Sequence, residues 1–203
     1  MNTVVTSRRQ ILDTARRLIQ QKGWEAVSIR AVASACGVSV GSIYNYFDSK
    51  AALTGEVVES VWQEIFHRPQ GEEPFRDARA CLCWLYDRLE YGCGQYPGFF
   101  TLHSLGFLGQ ERPEGRQRML RAWQHIRQEL CGVLRRDEAV RPDAFGEDFT
   151  PEKFADLLFS LLLASLLRQD FERDTALEML KRTLYRAPSG HNPTEREKER
   201  CAQ

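Results

Sequence analysis

Apolar residues recur at helical spacing along almost the whole chain, and sustained strand-like alternation is nearly absent. This pattern predicts an all-α protein. The predicted helices span residues 7–22, 29–35, 40–47, 50–66, 75–94, 114–136, 151–168 and 174–186. Residues suited to N-caps stand before five of them: Ser7, Ser28, Ser39, Ser49 and Thr150. Thr175 and Glu178 have the spacing of a capping box at the start of the last helix.

The predicted helices fall into two domains and a tail. Residues 1–50 hold the short helices of an N-terminal domain, and residues 51–187 form a larger helical domain. Residues 188–203 are almost without apolar side chains and are predicted to be a disordered tail. The helix at 151–168 is apolar nearly all round, so it needs cover on more than one side, either from its own chain or from a second subunit.

Charge is distributed unevenly between these domains. The chain holds 28 basic and 28 acidic residues and is neutral overall, which gives no global argument for nucleic-acid binding. Residues 1–50, however, hold seven basic side chains against three acidic ones, a net charge of +4. Such an asymmetry indicates a polyanion-binding module at the N-terminus, joined to a domain of another kind.

The composition argues against a membrane protein, a secreted protein and a metalloprotein. The longest apolar stretch, residues 154–167, is only fourteen residues long and contains Asp156, and no apolar run marks a signal peptide. We therefore expect a cytoplasmic protein whose six cysteines are free thiols. The spacing of Cys81, Cys83 and Cys93 with His103 matches no zinc module, so no metal or other cofactor is expected.

The segment at 29–47 has the pattern of a helix-turn-helix motif. A short helix is followed by a turn with Gly37 and by a second short helix from Val40, in which Ile43 and Phe47 are predicted to point inward. The residues able to let DNA approach, or to reach phosphates and base edges, are Gly41, Ser42, Tyr44, Asn45, Tyr46 and Lys50. The alternative is a polar surface hairpin between core helices.

With these residues in place, the block at 9–58 closely resembles the N-terminal DNA-binding domain of TetR-type bacterial transcriptional regulators. The matching features are Ile11-Leu12, Ala15, Gly23-Trp24, Ser28-Ile29-Arg30, Ala33, Gly37-Val38-Ser39, Gly41-Ser42-Ile43-Tyr44, Tyr46-Phe47 and Ser49-Lys50. The rest of the chain matches only in the layout of its helices.

The resemblance implies roles for individual residues. Phosphate contacts are expected from Ser28, Tyr44, Tyr46 and Lys50, and positions at or near base edges from Arg30, Ser39, Val40, Gly41 and Asn45. Val40 stands where relatives often carry a polar or basic residue, so an apolar contact with a thymine methyl is expected in place of a hydrogen bond. For Arg8 and Arg9, DNA contact and plain solvated charge are equally open.

The resemblance also implies a homodimer, formed by the helices at 151–168 and 174–186, that binds a palindromic double-stranded DNA operator as a repressor and is released by a small-molecule effector. An aromatic pocket is expected between residues 75 and 167, although core packing is the more common role for any single candidate. The candidates are Trp62, Phe66, Trp84, Tyr91, Phe99, Phe100, His103, Phe107, Trp123 and Phe159.

Two other functions are compatible with the chain. In the first, the larger domain of a DNA-bound protein recruits a protein partner instead of sensing a metabolite; an exposed apolar patch in place of an enclosed cavity would favour that function. A small all-α enzyme is the more remote alternative, because no nucleophile and base stand in a recognisable motif. We therefore expect no catalytic residues.

Overall fold

The computed structural model of the protein describes residues 6–68, 71, 73–100 and 113–185. The α-helices in these ranges are α1 (Arg8–Lys22), α2 (Ile29–Cys36), α3 (Val40–Tyr44), α4 (Lys50–Ile65), α5 (Ala78–Gln95), α6 (Pro113–Arg136), α7 (Pro151–Arg168) and α8 (Asp174–Leu184). These ranges contain no β-strand, only an isolated bridge between Val140 and Tyr185. The all-α class is confirmed.

Side-chain caps explain why the helices begin where the sequence predicts. Each of five capping oxygens accepts a hydrogen bond from the backbone N–H three residues later: Ser7, Ser28, Ser39, Ser49 and Thr150. Ser7 belongs to a full capping box with Gln10.

Two local predictions are wrong. Helix α3 ends at Tyr44 and is shorter than the predicted range of 40–47. The capping box of Thr175 and Glu178 does not form, because the N-cap position of α8 falls on Arg173, which makes no side-chain cap. The hydroxyl of Thr175 instead donates to the Glu172 carboxylate, and Glu178 pairs with Arg182.

The N-terminal domain packs α1, α2 and α3 around a small apolar core. Its fully buried side chains are Ile11, Ala15, Ile19, Val32, Ala33, Ile43 and Phe47. Helix α4 closes this core with Leu53 and Val57 and then continues into the larger domain, where it packs against α5 and α6. One continuous helix therefore belongs to both domains.

The larger domain is a bundle in which α7 packs on α6, and α8 packs on α5. Helix α7 buries Phe154, Leu158 and Leu162 against the bundle, whereas Leu157 and Leu167 on its other side are 44% and 58% exposed. The described residues therefore cover this apolar helix on one side only.

Several predictions lie outside the described residues, namely the tail at 188–203 and the candidates His103 and Phe107. Within the described part of the chain, no helix is both long enough and apolar enough to cross a membrane.

Candidate nucleic-acid interface and effector cavity

The turn between α2 and α3 depends on Gly37, whose φ of 69° lies in the left-handed region that favours glycine. After it, the Val38 N–H donates to the Ala33 carbonyl at 3.0 Å and closes α2. Ser39 then caps α3, and its side-chain oxygen also lies 2.9 Å from that of Ser42. These local contacts hold α3 as a short, separate helix after α2, as a helix-turn-helix motif requires.

Helix α3 has a buried side and an exposed side. Ile43 and Phe47 are fully buried and anchor the segment in the core of the N-terminal domain. The opposite side, which we call the recognition face, consists of Val40, Gly41, Tyr44 and Asn45. Val40 is 39% exposed and Tyr44 48% exposed, so both side chains are accessible to a molecule outside the protein.

No contact within the described part of the chain requires the glycine at position 41. A Cβ atom added there would meet only the Ser39 side-chain oxygen, at 3.7 Å, and the backbone has no positive φ. Glycine within a helix costs up to about 1 kcal/mol relative to alanine. A Cβ atom is therefore tolerated by the described part of the fold, and its absence leaves room for a molecule that approaches from outside.

Of the predicted phosphate-contacting side chains, Tyr44 and Lys50 are exposed, whereas Ser28 and Tyr46 have partners within the protein. The Ser28 hydroxyl accepts the Ala31 N–H at 3.1 Å, and the Tyr46 hydroxyl donates to the Thr6 carbonyl at 2.5 Å. Tyr46 therefore ties the start of the described chain to the segment after α3, a structural role that the sequence did not indicate.

Arg8 and Arg9, at the start of α1, also differ in whether they have a close partner within the protein. Arg8 forms an ion pair with Glu56 of α4 at 2.6 Å and lies over the Phe47 ring, 4.8 Å from its centroid. Arg9 is 92% exposed, and the acidic atom paired with it, on Asp13, lies 4.0 Å away. Arg9 is thus the better placed of the two for a contact with DNA, and Arg30 on α2 is likewise exposed.

A cavity of about 630 Å³ lies between α4, α5 and α6. Its aromatic wall is formed by Trp62, Phe66, Phe75 and Trp84, and neighbouring rings in this wall contact one another at centroid distances of 5.4–6.0 Å. The remaining lining residues are Glu59, Gln63, His67, Arg68, Cys81, Leu85, Arg121, His125, Ile126 and Glu129.

The predicted pocket residues divide into three groups. Trp62, Phe66 and Trp84 line the cavity. The rings of Phe100 and Trp123 pack against Trp62, and Phe159 packs against Trp123, so these three support the wall from behind. Tyr91 does not line this cavity: it lies on the surface under the Arg88 guanidinium, 4.4 Å from the ring centroid.

Sequence reasoning missed the polar part of the lining, above all His67, Arg121 and His125. Arg121, His125 and Glu129 follow one another at four-residue spacing along α6, which is the signal that would have placed them on one face. That spacing is common on solvated helices, so the residues become notable only once the position of α6 is known.

The thiols show no sign of a reactive or metal-binding site. Burial raises the pKa of Cys81 to about 12 and that of Cys93 to about 11, so both stay protonated at neutral pH. The five cysteines within the described ranges are free thiols, and no cluster of potential metal ligands occurs there.

A chain of contacts runs from the cavity to the N-terminal domain. Trp62 contacts Phe100 at 5.5 Å, Phe100 contacts Phe99 at 4.8 Å, and Phe99 contacts Trp24 at 5.5 Å between ring centroids. Trp24 lies in the 3-10 turn after α1, and its backbone N–H donates to the Pro97 carbonyl at 2.9 Å.

A second link joins the same two domains through polar groups. Glu64, near the end of α4, pairs with Arg16 of α1 at 2.5 Å and accepts the Tyr96 hydroxyl at 2.6 Å. Gln20 of α1 donates to the same hydroxyl at 3.2 Å. The position of α1 is therefore tied to the ends of both α4 and α5.

Residues 11–57, which span the helix-turn-helix motif and the start of α4, match the family of bacterial regulatory proteins named after tetR. This N-terminal region is similar to the TetR family of regulators. That family consists of regulators, in line with the prediction that the chain is not an enzyme.

Curated relatives match only part of this chain. The transcriptional repressor KstR2 of Rhodococcus jostii is 34% identical over 59 residues, 29% of this chain and 29% of KstR2. The repressor KstR of the same organism is 39% identical over 78 residues, 37% of either chain. The chain thus spans less than two fifths of the length of these relatives.

Solved structures extend the similarity to the fold of the larger domain. The reduced form of NemR from E. coli has a TM-score of 0.62 at 21% identity, covering 87% of this chain and 97% of NemR. FadR from Bacillus subtilis, in complex with stearoyl-CoA, has a TM-score of 0.59 at 17% identity, with 86% and 97% coverage. The chain therefore shares its helical architecture with both proteins.

Proposed function

We propose that this protein is a TetR-family transcriptional repressor that binds a palindromic DNA operator as a homodimer and releases it when a small molecule binds. The observation that carries the proposal is the recognition face, an exposed side of α3 with a glycine whose Cβ position is unobstructed by the described residues. The relatives KstR2 and KstR are named as repressors, which supports repression over activation.

The recognition face suits a helix lying in the major groove. The N-terminal residues of a recognition helix contact base edges, which here are Val40 and Gly41. Tyr44 and Lys50 then contact phosphates, and Lys50 stands at the start of α4, where free backbone N–H groups also favour an anion. Arg30 and Arg9 add exposed positive charge to the same domain.

Homodimer formation would cover the outer face of α7, which consists of Leu157, Leu161, Ala164 and Leu167. These residues follow one another at helical spacing on the side turned away from the bundle, and Leu157 and Leu167 are the most exposed of them. A contiguous apolar face of this kind is typical of an interface. In the dimer, α7 and α8 would pack against their copies as a four-helix bundle.

The effector site is the cavity between α4, α5 and α6. A volume of about 630 Å³ is within the usual range for small-molecule sites, and an aromatic wall with a few polar groups is their usual lining. FadR, which shares the fold, was solved with stearoyl-CoA, and this supports a small-molecule role for the helical domain. The cavity also favours an effector over recruitment of a protein.

Release would follow from a shift between two conformers of α4. An effector that binds the DNA-incompetent conformer more tightly moves the population towards that conformer. The conformational equilibrium constant can change by no more than the ratio of the effector's affinities for the two conformers. Because α4 carries Trp62 of the cavity wall and Glu64 of the link to α1, displacement of its end moves the N-terminal domain. In a dimer this would put the two recognition helices out of register.

The test of DNA binding is selection of genomic fragments by the purified protein at fixed salt. We expect the recovered sites to share an inverted repeat whose half-sites lie about 34–36 Å apart, one turn of DNA. Recovery of random fragments only would contradict the proposal.

The cavity is tested by filling it. His125 lines it, whereas Gln124 is exposed on another side of α6. We expect His125→Trp to bind the operator normally but to resist release by compounds that release the wild type from it. The control, Gln124→Trp, should respond as the wild type does. Equal release of both variants would show that the effector binds elsewhere.

A further inference from the structure

The recognition face carries an apolar side chain where base contacts are expected and has no charged group at all. Residues 38–47 contain no Lys, Arg, Asp, Glu or His. Arginine and lysine make the commonest specific contacts with guanine, and acidic side chains accept from cytosine. Neither contact is available from α3 itself.

The hydroxyl groups beside Val40 are also partly occupied. The Ser39 side-chain oxygen accepts the Ser42 N–H at 3.1 Å and lies 2.9 Å from the Ser42 hydroxyl. Val40 is thus left as the exposed side chain at the N-terminal end of the helix, and an isopropyl group can read a base only through an apolar contact.

The structure also provides the close approach that such a contact needs. Gly41 lies next to Val40, and the nearest described atom to a Cβ added there is the Ser39 side-chain oxygen, at 3.7 Å. Because glycine has no side chain, the helix backbone is accessible on that side. An isopropyl group is short, so it contacts a base edge only where the helix backbone itself lies close to the groove floor.

From these observations we infer that Val40 reads the C5-methyl group of a thymine, so that each operator half-site has an A·T pair under the N-terminal end of α3. Thymine carries the only methyl group in the major groove of unmodified DNA. The inference rests on the proposed function, because it requires α3 to lie in that groove.

The experiment removes the methyl group and nothing else. Each thymine of the selected operator is replaced by deoxyuridine, symmetrically in both half-sites, and the dissociation constant is measured by fluorescence anisotropy at fixed salt. At one position we expect a loss of about fourfold per half-site, which corresponds to ~0.8 kcal/mol for one buried methyl group. Substitution in both half-sites should therefore weaken binding about 16-fold, while other thymines tolerate the change.

Val40→Ala identifies the residue that makes the contact. Val40 is exposed, so the variant should keep its thermal midpoint, bind the natural operator more weakly and lose its sensitivity to deoxyuridine at that position. The matched control is Tyr44→Phe, which should weaken binding to every duplex but keep the sensitivity. A cytosine at the same position should bind weakly, and 5-methylcytosine should recover part of the loss.

The outcomes separate this inference from the proposed function. A tight operator in which every thymine tolerates deoxyuridine, or a Val40→Ala variant that keeps full sensitivity, would overturn the inference and leave the proposed function intact. Failure to select any shared site would instead count against the proposed function.

Discussion

At position 41 the needs of the fold and of DNA binding differ. Alanine is the better helix residue, and a Cβ atom at Gly41 has room inside the protein. We expect Gly41→Ala to raise the free energy of unfolding by about 0.5–1 kcal/mol, measured by chemical denaturation, and to weaken operator binding because the added methyl group keeps α3 from the groove floor.

The chain offers a matched control in Gly94, which is also helical, exposed and without neighbours within 4 Å of an added Cβ. Gly94→Ala in α5 should stabilise the protein by a similar amount and leave operator affinity unchanged. If Gly41→Ala bound the operator as tightly as Gly94→Ala does, the recognition face would be wrongly placed.

Lys50 is expected to act through charge alone. A lysine that contacts a phosphate releases counterions, so Lys50→Ala should weaken binding to all sequences alike and lower the slope of log K against log salt by about one. The comparison is Lys153→Ala, a lysine of α7 far from the motif, which should leave the slope unchanged. Equal slopes for the two variants would exclude a phosphate contact by Lys50.

Contacts between neighbouring residues could be predicted from the sequence, whereas contacts between distant residues could not. Ser28 and Ser39 were placed correctly as caps because a cap is a contact within four residues. Tyr46 has its partner 40 residues away at Thr6, and Arg8 has its partner 48 residues away at Glu56. No local sequence pattern distinguishes these two side chains, which have partners within the protein, from side chains that are available to contact DNA.

At the scale of helices, the contact between α4 and α5 depends on a glycine that the packing does require. A Cβ atom at Gly92 would lie 2.7 Å from the Ile65 Cδ1 atom, and Ile65 is fully buried. We expect Gly92→Ala to lower the free energy of unfolding by about 1–3 kcal/mol, the usual cost of overpacking, in denaturant melts.

The companion variants make this prediction specific. Ile65→Val removes the clashing atom, so it should recover part of the loss in the Gly92→Ala background although it destabilises the wild type slightly. The same alanine change at Gly94, two residues further on, should be stabilising. A Gly92→Ala protein as stable as the wild type would mean that α4 and α5 approach less closely.

Helix positions in sequence and helix positions in space were predictable to different degrees. The bounds of α1 and α7 agree closely with the apolar stripes and caps that predict them. The cavity lining was only partly predictable, because Trp84 and Tyr91 are two turns apart on α5 and only the packing of α4 and α6 separates a wall residue from a surface one. The same packing brings His67 and His125 into one lining.

At the scale of the whole molecule, the open question for the sequence was whether α7 is covered by its own chain or by a second subunit. The described residues bury Phe154, Leu158 and Leu162 but leave the outer face exposed, which is the surface that the proposed second subunit would cover. A palindromic operator depends on this interface, because two half-sites are bound together only by two linked recognition helices.

Leu157→Arg tests the interface directly. Two such arginines would be brought together by the two-fold axis and lose water, so we expect the 23.4 kDa chain to sediment as a monomer instead of a dimer. Binding to the full operator should weaken at least about 100-fold, because the second half-site no longer binds within one complex. Binding to an isolated half-site should change little, which separates loss of the dimer from loss of folding.

Leu120 supplies the control, since it is equally exposed, at 44%, but lies on α6. Leu120→Arg should remain dimeric and bind the full operator as the wild type does. A Leu157→Arg protein that also remained dimeric would place the interface on another surface. The apolar outer face of α7 would then favour the alternative function, in which the larger domain recruits a different protein through this surface.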